Sequence, residues 1–333
     1  MIADAHVDLL LELAYREHRL GEEDVFAQTW LPLLEAGGVA LQVCPIFVEL
    51  ERQPEGTLRE ALGQATSFQR AVRENEGRVV HVRSASDLNA VERGDRIGLM
   101  LSLEGVEPFG YELWPADPFW ELGLRMASLT WNRRNPYADG AAEEGGLSKL
   151  GRRLVDRLCS LGVILDLAHA SPALFSEVLA HSGNAPVLVS HAACRRVNDH
   201  PRNVSDDQLR ALADRSGLLG LMLHPLAIDH ERRTIARVID HLEHAAATIG
   251  VDSVCLGGDF VARIARELPP MPALPDGLMP PGLEVGSSIE DLAGPEDYPT
   301  LVDALRARGW NDDDIDAVTS RNLLRFLRAA LPS

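Results

Sequence analysis

Lysine is almost missing from this chain: Lys149 is the lone lysine among 32 basic residues, which face 50 acidic ones for a net charge of −18. No basic patch interrupts that surplus, so a nucleic-acid surface is not expected, because phosphate binding needs clustered cations that displace counterions. Long hydrophobic runs are missing too, and no stretch is apolar enough to span a bilayer. The first residues carry Asp4, His6, Asp8 and Glu12 without a basic segment ahead of an apolar core, so no signal peptide is expected. Cysteine is sparse, and Cys44, Cys159, Cys194 and Cys255 lack the paired spacing of a zinc knuckle or redox motif. They read as four buried thiols in a reducing, cytoplasmic setting.

What is there is the composition of an ordinary globular protein, 46% hydrophobic and 25% charged, which is enough to bury a sizeable core. Short runs rich in Val, Ile and Leu alternate with longer amphipathic stretches from end to end. The runs fall at residues 2–7, 39–47, 97–103, 125–130, 162–168, 186–190, 217–223 and 253–258. Strands buried on both faces read this way, and the alternation is that of repeated βα units around a parallel sheet. Eight such units suggest a closed (β/α)8 barrel, a TIM barrel over residues 1–333 as one domain, although an open doubly wound sheet fits the same pattern. Ser148 is a candidate N-cap for a helix with Leu150, Leu154, Val155, Leu158 and Leu161 at helical spacing, and Asn311 is another near the carboxyl terminus. One stretch is irregular: residues 267–284 hold six prolines, within a Pro-rich loop at about 261–297. It follows the eighth run, so on a barrel it overhangs the face where active sites lie.

The side chains that bind metals fall at the carboxyl ends of these runs. His6 and Asp8 close the first, Glu104 follows the third, His169 the fifth, His191 the sixth and Asp259 the eighth. A lone histidine after a strand is more often a satisfied turn residue, and an acid there is commonly a helix cap. Convergence of several on one end of one barrel is harder to explain as capping, and His with Asp or Glu suits zinc, whose catalytic sites leave a position for water. His6 and Asp8, two apart, point the same way if the strand continues through them. Among the remaining histidines, His18, His81, His181, His200 and His230 are expected to face solvent. His241 and His244 are expected on an exposed helix face, and His224 as a backbone-bonded loop residue.

Several segments together resemble the renal (membrane) dipeptidase family: DAHVDLL at 4–10, LSLEG at 101–105, LGVILDLAHAS at 161–171, PVLVSHAACRRVNDHPRNVSD at 186–206, LGGDF at 256–260 and RGWNDDDIDAVTSRNLLRFL at 308–327. The resemblance implies a zinc peptidase acting on free dipeptides, including those with a D-residue at the carboxyl end. It implies two zinc ions per chain, one held by His6 and Asp8 and the other by His169 and His191, with Glu104 bridging them. Arg202 matches an arginine that holds the substrate carboxylate. Asp259 matches the acid that handles the proton of the attacking water. A homodimer is implied by the same analogy. Trp131 departs from the family pattern, standing at the position of a substrate-binding histidine, and so do Val261 and Ala262 after Asp259. The chemistry to expect is attack on the peptide carbonyl by a hydroxide shared between two zinc ions about 3.5–4 Å apart. Two other readings remain: a zinc barrel hydrolase acting on N-acyl amino acids or lactones, and a metal-binding protein without turnover.

Overall fold

The computed structural model describes residues 1–49, 55–269 and 274–333. Each apolar run becomes a parallel strand: β1 (Ile2–Asp4), β2 (Val39–Phe47), β3 (Val79–His81), β4 (Ile97–Glu104), β5 (Leu124–Ser128), β6 (Ile164–Asp166), β7 (Val187–Ala192), β8 (Leu219–Leu221) and β9 (Val254–Leu256). β1 pairs with both β2 and β9, and β2 pairs directly with β4 from Leu41 opposite Gly98 to Phe47 opposite Glu104. The pairing then runs from β4 through β9 and returns to β1, which closes an eight-stranded (β/α)8 barrel. An open doubly wound sheet is excluded by that closure.

The ninth strand, β3, was not anticipated from the sequence. It pairs with β4 at residues 97–99 while β5 pairs with β4 at 101–103, so the two share one edge of β4 at different heights. Its His81 is buried against the Phe68 ring rather than exposed, at a centroid distance of 4.8 Å.

Strand parity sorts the interior into layers. Met100, Met126, Ile164, Leu188 and Cys255 form one cluster with Leu323, Leu324 and Leu327 of the helix Asn322–Ala330, which plugs the amino-terminal end of the barrel. Two residues further along the same strand faces come Ser102, Ser128, Asp166, Ser190 and Gly257, and above them the site. The other parity, with Leu101, Leu103, Leu165, Val189 and Leu256, packs against the surrounding helices as the larger part of the core. Helix starts follow the sequence signals: Ser148 Oγ accepts from Gly151 N at 3.0 Å, and Asn311 Oδ1 from Asp314 N at 2.9 Å. Cys44, Cys194 and Cys255 are buried free thiols, whereas Cys159 is only partly buried. The Pro-rich segment has no helix or strand over residues 274–284, and residues 270–273 lie outside the described ones.

Candidate metal centre and substrate pocket

β1 ends at Asp4, so His6 and Asp8 stand on the connection to the helix Leu9–Tyr15 rather than on an extended strand. The i, i+2 argument for their common direction therefore fails, and a turn replaces it. Asp4 Oδ1 accepts from His6 N at 3.0 Å and from Gly258 N at 2.8 Å, while Tyr298 Oη donates to Oδ2 at 2.7 Å. This buried carboxylate fastens the first strand to the segment after β9 and to the helix Tyr298–Arg308. It holds His6 Nε2 at 3.7 Å from Asp8 Oδ2, 3.8 Å from Glu104 Oε2 and 3.9 Å from Asp259 Oδ1.

Capping does not account for the acids. Asp8 occupies the N-cap position of its helix but makes no side-chain cap bond, and its Oδ1 is buried without a partner. The helix after β9 begins at Ala262 with Val261 at its N-cap, so Asp259 caps nothing. Asp259 and His169 instead adopt left-handed backbone, φ 48° and 63°, which costs a side-chain-bearing residue about 1–3 kcal/mol and is held only where the surroundings demand it.

The second cluster is set by tautomers. His169 Nδ1 donates to Asn132 Oδ1 at 2.8 Å. Ser190 gives its hydroxyl proton to Asp166 Oδ2, so it accepts from His191 Nδ1 at 2.8 Å. Both rings thus carry their proton on Nδ1 and present bare Nε2 lone pairs, which lie 2.8 Å apart. Glu104 Oε1 joins them at 2.7 Å from His169 Nε2 and 3.5 Å from His191 Nε2. Three buried lone-pair donors aimed at one spot repel each other unless a metal ion or a proton lies between them. On the other side, His6 Nε2 is likewise buried without a hydrogen-bond partner. The residues therefore fit metal on both sides of Glu104, and ligand-capable atoms of His6, Glu104 and His191, and of His6, Asp8 and Asp259, gather within 4.8 Å.

Electrostatics agree with a concentrated site. Burial opposes a charged His6, but Glu104, Asp8 and Asp259 outweigh it and lift its pKa to about 10. Burial and the neighbouring Asp8 push Glu104 well up, and burial raises Asp259 to about 6 against the pull of His6. Burial holds His169 and His191 well below the usual imidazole range.

The bulge that delivers His191 depends on two glycines. The register of β7 against β8 shifts between Val189 and Ala192. A Cβ on Gly220 or Gly257 would lie 2.0 or 1.8 Å from the Ser190 carbonyl oxygen, so only glycine lets the β7 backbone swing inward there.

Above the acids and imidazoles opens a pocket of about 710 Å³, solvent mouth included. Arg202 lines it from the loop after β7. It is buried, its Nη2 donates to His191 O at 3.3 Å, and no carboxylate lies within 4.0 Å of it among the described residues. Burial lowers its pKa to about 10 although Asp259 and Glu104 support the charge. A surface salt bridge is thereby excluded for it. Trp131 stands at the wall, half-buried, with Phe47 at 5.1 Å and His169 at 6.1 Å between ring centroids.

Ser190 and Asp166 were not anticipated from the sequence, although an aspartate inside an apolar strand run was a signal. His224 is backbone-bonded as expected, to Val285 O, and it lines the pocket. Besides His81, two further expectations fail: His200 is buried rather than exposed, and His241 is completely buried, accepting from Cys194 N at 3.0 Å and bonded to Ile228 O.

Fold and donor set together define a barrel of the metal-dependent hydrolase type. The chain belongs to the membrane dipeptidase family, peptidase family M19, whose model matches residues 1–276. It is 31% identical to Dipeptidase aclJ of Aspergillus oryzae over 94% of this chain and 72% of that protein. It is 29% identical to Dipeptidase 3 of Rattus norvegicus over 98% of this chain, but spans only 64% of that protein's length. Against 65% of Dipeptidase verJ of Clonostachys rogersoniana it is 30% identical, over 81% of this chain. Its fold is that of a Rhodobacter sphaeroides metallopeptidase solved with a phosphinate mimic of L-Ala-D-Ala, with a TM-score of 0.82 at 23% identity over 99% of each chain.

Proposed function

We propose that this protein is a metallodipeptidase holding two zinc ions, one on His6 and Asp8, one on His169 and His191, with Glu104 shared. The observation that carries the reading is the opposition of charges across the pocket mouth. Arg202 follows β7, and Glu49 follows β2, diametrically opposite in the eight-stranded ring, and both line the pocket with the imidazoles and acids between them. A free dipeptide carries one charge at each end, and a buried guanidinium that makes no ion pair among the described residues matches its carboxylate in a bidentate grip. Glu49 faces the free amino group. The dipeptide L-Ala-D-Ala, whose phosphinate mimic the Rhodobacter sphaeroides metallopeptidase was solved with, has this same zwitterionic form and supports acceptance of a D-residue at the carboxyl end.

Bound metal supplies Lewis acidity, which makes water a nucleophile at neutral pH and polarises the peptide carbonyl. The chain's own groups do the rest. Asp259, raised toward neutrality, takes the proton of the attacking water and delivers it to the leaving amine. Asn132 and the Asp166–Ser190 pair hold the His169 and His191 rings with Nε2 toward the centre. Trp131 and Phe47 wall the side opposite Arg202 and exclude water, and the indole serves as a wall rather than as an oxyanion donor.

The test pairs metal analysis with Arg202→Met. Zinc-replete protein is expected to hold close to two metals per chain and to hydrolyse free dipeptides. The variant should raise KM strongly for dipeptides yet matter far less for dipeptide amides, which lack the carboxylate. Equal losses on both, or turnover of N-acyl amino acids but no dipeptide, would overturn the assignment.

A further inference from the structure

Three buried histidines outside the metal cluster, His200, His224 and His241, are bonded in the same way, and two of them reach the Pro-rich segment. His200 Nδ1 accepts from Arg202 N at 3.2 Å, and its Nε2 donates to Leu278 O at 2.8 Å. His224 Nδ1 accepts from Leu226 N at 3.3 Å, and its Nε2 donates to Val285 O at 3.0 Å. An imidazole that accepts at Nδ1 and donates at Nε2 is neutral and uses both ring nitrogens. Burial favours the neutral form of each, lowering His224 to about 4.

The two carbonyls they hold belong to residues that line the pocket. Leu278 and Val285 line it together with Met279, as do Met222, just after β8, and Leu226 of the short helix Pro225–Ile228. The Pro-rich segment has no helix or strand of its own over residues 274–284, so these bonds from the barrel loops set its height. The His200 ring also touches the backbone of the residue that grips the carboxylate, so one imidazole fixes the spacing between Arg202 and Leu278.

We propose that His200 and His224 are positioning residues that clamp the segment 274–285 as an apolar wall beside Arg202. That wall makes the site select dipeptides whose carboxyl-terminal residue bears a bulky apolar side chain. The inference rests on the reading of Arg202 as the carboxylate grip: the residue anchored there places its side chain next to the anchor, where Met222, Leu226, Leu278, Met279 and Val285 meet it. An apolar pocket discriminates by about 10- to 200-fold per methylene.

The experiment measures kcat/KM of the metal-replete enzyme on alanyl-leucine, alanyl-alanine and alanyl-aspartate, each with an L or a D second residue. Within one configuration, leucine is expected to exceed alanine by about tenfold or more, with aspartate last. Leu278→Ala should bring the leucine-to-alanine ratio to within about threefold at unchanged metal content. His224→Asn should raise KM for alanyl-leucine more than it lowers kcat, and should speed amide hydrogen exchange over residues 274–285 at unchanged melting temperature. Turnover of dipeptides without a leucine preference, or a ratio that Leu278→Ala does not move, removes the wall and leaves the dipeptidase reading intact. Absence of turnover on every dipeptide removes that reading, and the selectivity with it.

Discussion

At the scale of single residues, Asp259 separates chemistry from architecture most cleanly. Its φ of 48° is tolerated by asparagine about as well as by aspartate, and it caps no helix, so Asp259→Asn changes one atom's proton chemistry and little else. Turnover is expected to fall by about 10²- to 10⁴-fold, with the melting temperature and metal content held. A loss of only a few-fold would remove Asp259 as proton carrier. The residues that touch the pocket were legible in the sequence because His, Asp, Glu and Arg advertise their chemistry by type and by their place after strands. Their supports were less legible. Asn132 acts through one amide oxygen and Ser190 through one hydroxyl, and such groups are common everywhere in a chain. His241 was misplaced for a different reason: it lies on the stripe Val238, Leu242 and Ala245, which is the buried face of its helix. The apolar spacing around it was the better guide to its position than its polarity.

Among the strands, the bulge in β7 is the feature most open to test. Gly257→Ala places a methyl against the Ser190 carbonyl, where the backbone cannot yield as a flexible side chain would. Overpacking of this kind typically costs about 1–3 kcal/mol, and here it would displace His191 as well. The expected outcome is a lowered melting temperature together with loss of about one metal per chain, read by calorimetry and metal analysis. A variant that melts lower but keeps its full metal content would show that the bulge serves packing alone. Eight strands could be read from apolar runs because parallel barrel strands are buried on both faces. β3 escaped because three residues, Val79 to His81, are too short a run to stand out, and closure itself came from the β2–β4 and β1–β9 pairings, which no local pattern encodes.

Over the whole molecule, metal and folding are one equilibrium. Metal bound at one hundred times its dissociation constant adds about 2.7 kcal/mol of stability. A chain of this length should therefore melt on the order of 4 °C lower after chelation, and recover on adding zinc. His6 gives that transition a pH signature. In metal-free protein its raised pKa, about 10 against 6.5 when unfolded, contributes stability that is complete below about pH 6.5 and is lost as pH rises through about 10. Zinc needs the neutral ring, so binding at pH 7 should release a proton, measurable by calorimetry in buffers of different ionisation enthalpy. No dependence of the heat on buffer would contradict the ion pairing of His6. The Asp4 fastening carries a consequence in time. Its partners His6, Gly258 and Tyr298 lie up to 294 residues from it along the chain, so during synthesis the first strand waits for the helix Tyr298–Arg308 before it is secured. His6, Asp8 and Glu104 leave the ribosome long before His169, His191 and Asp259, and a nascent chain owns half a cage. Capture of metal belongs to the stage after β9 has emerged, when the ring shuts.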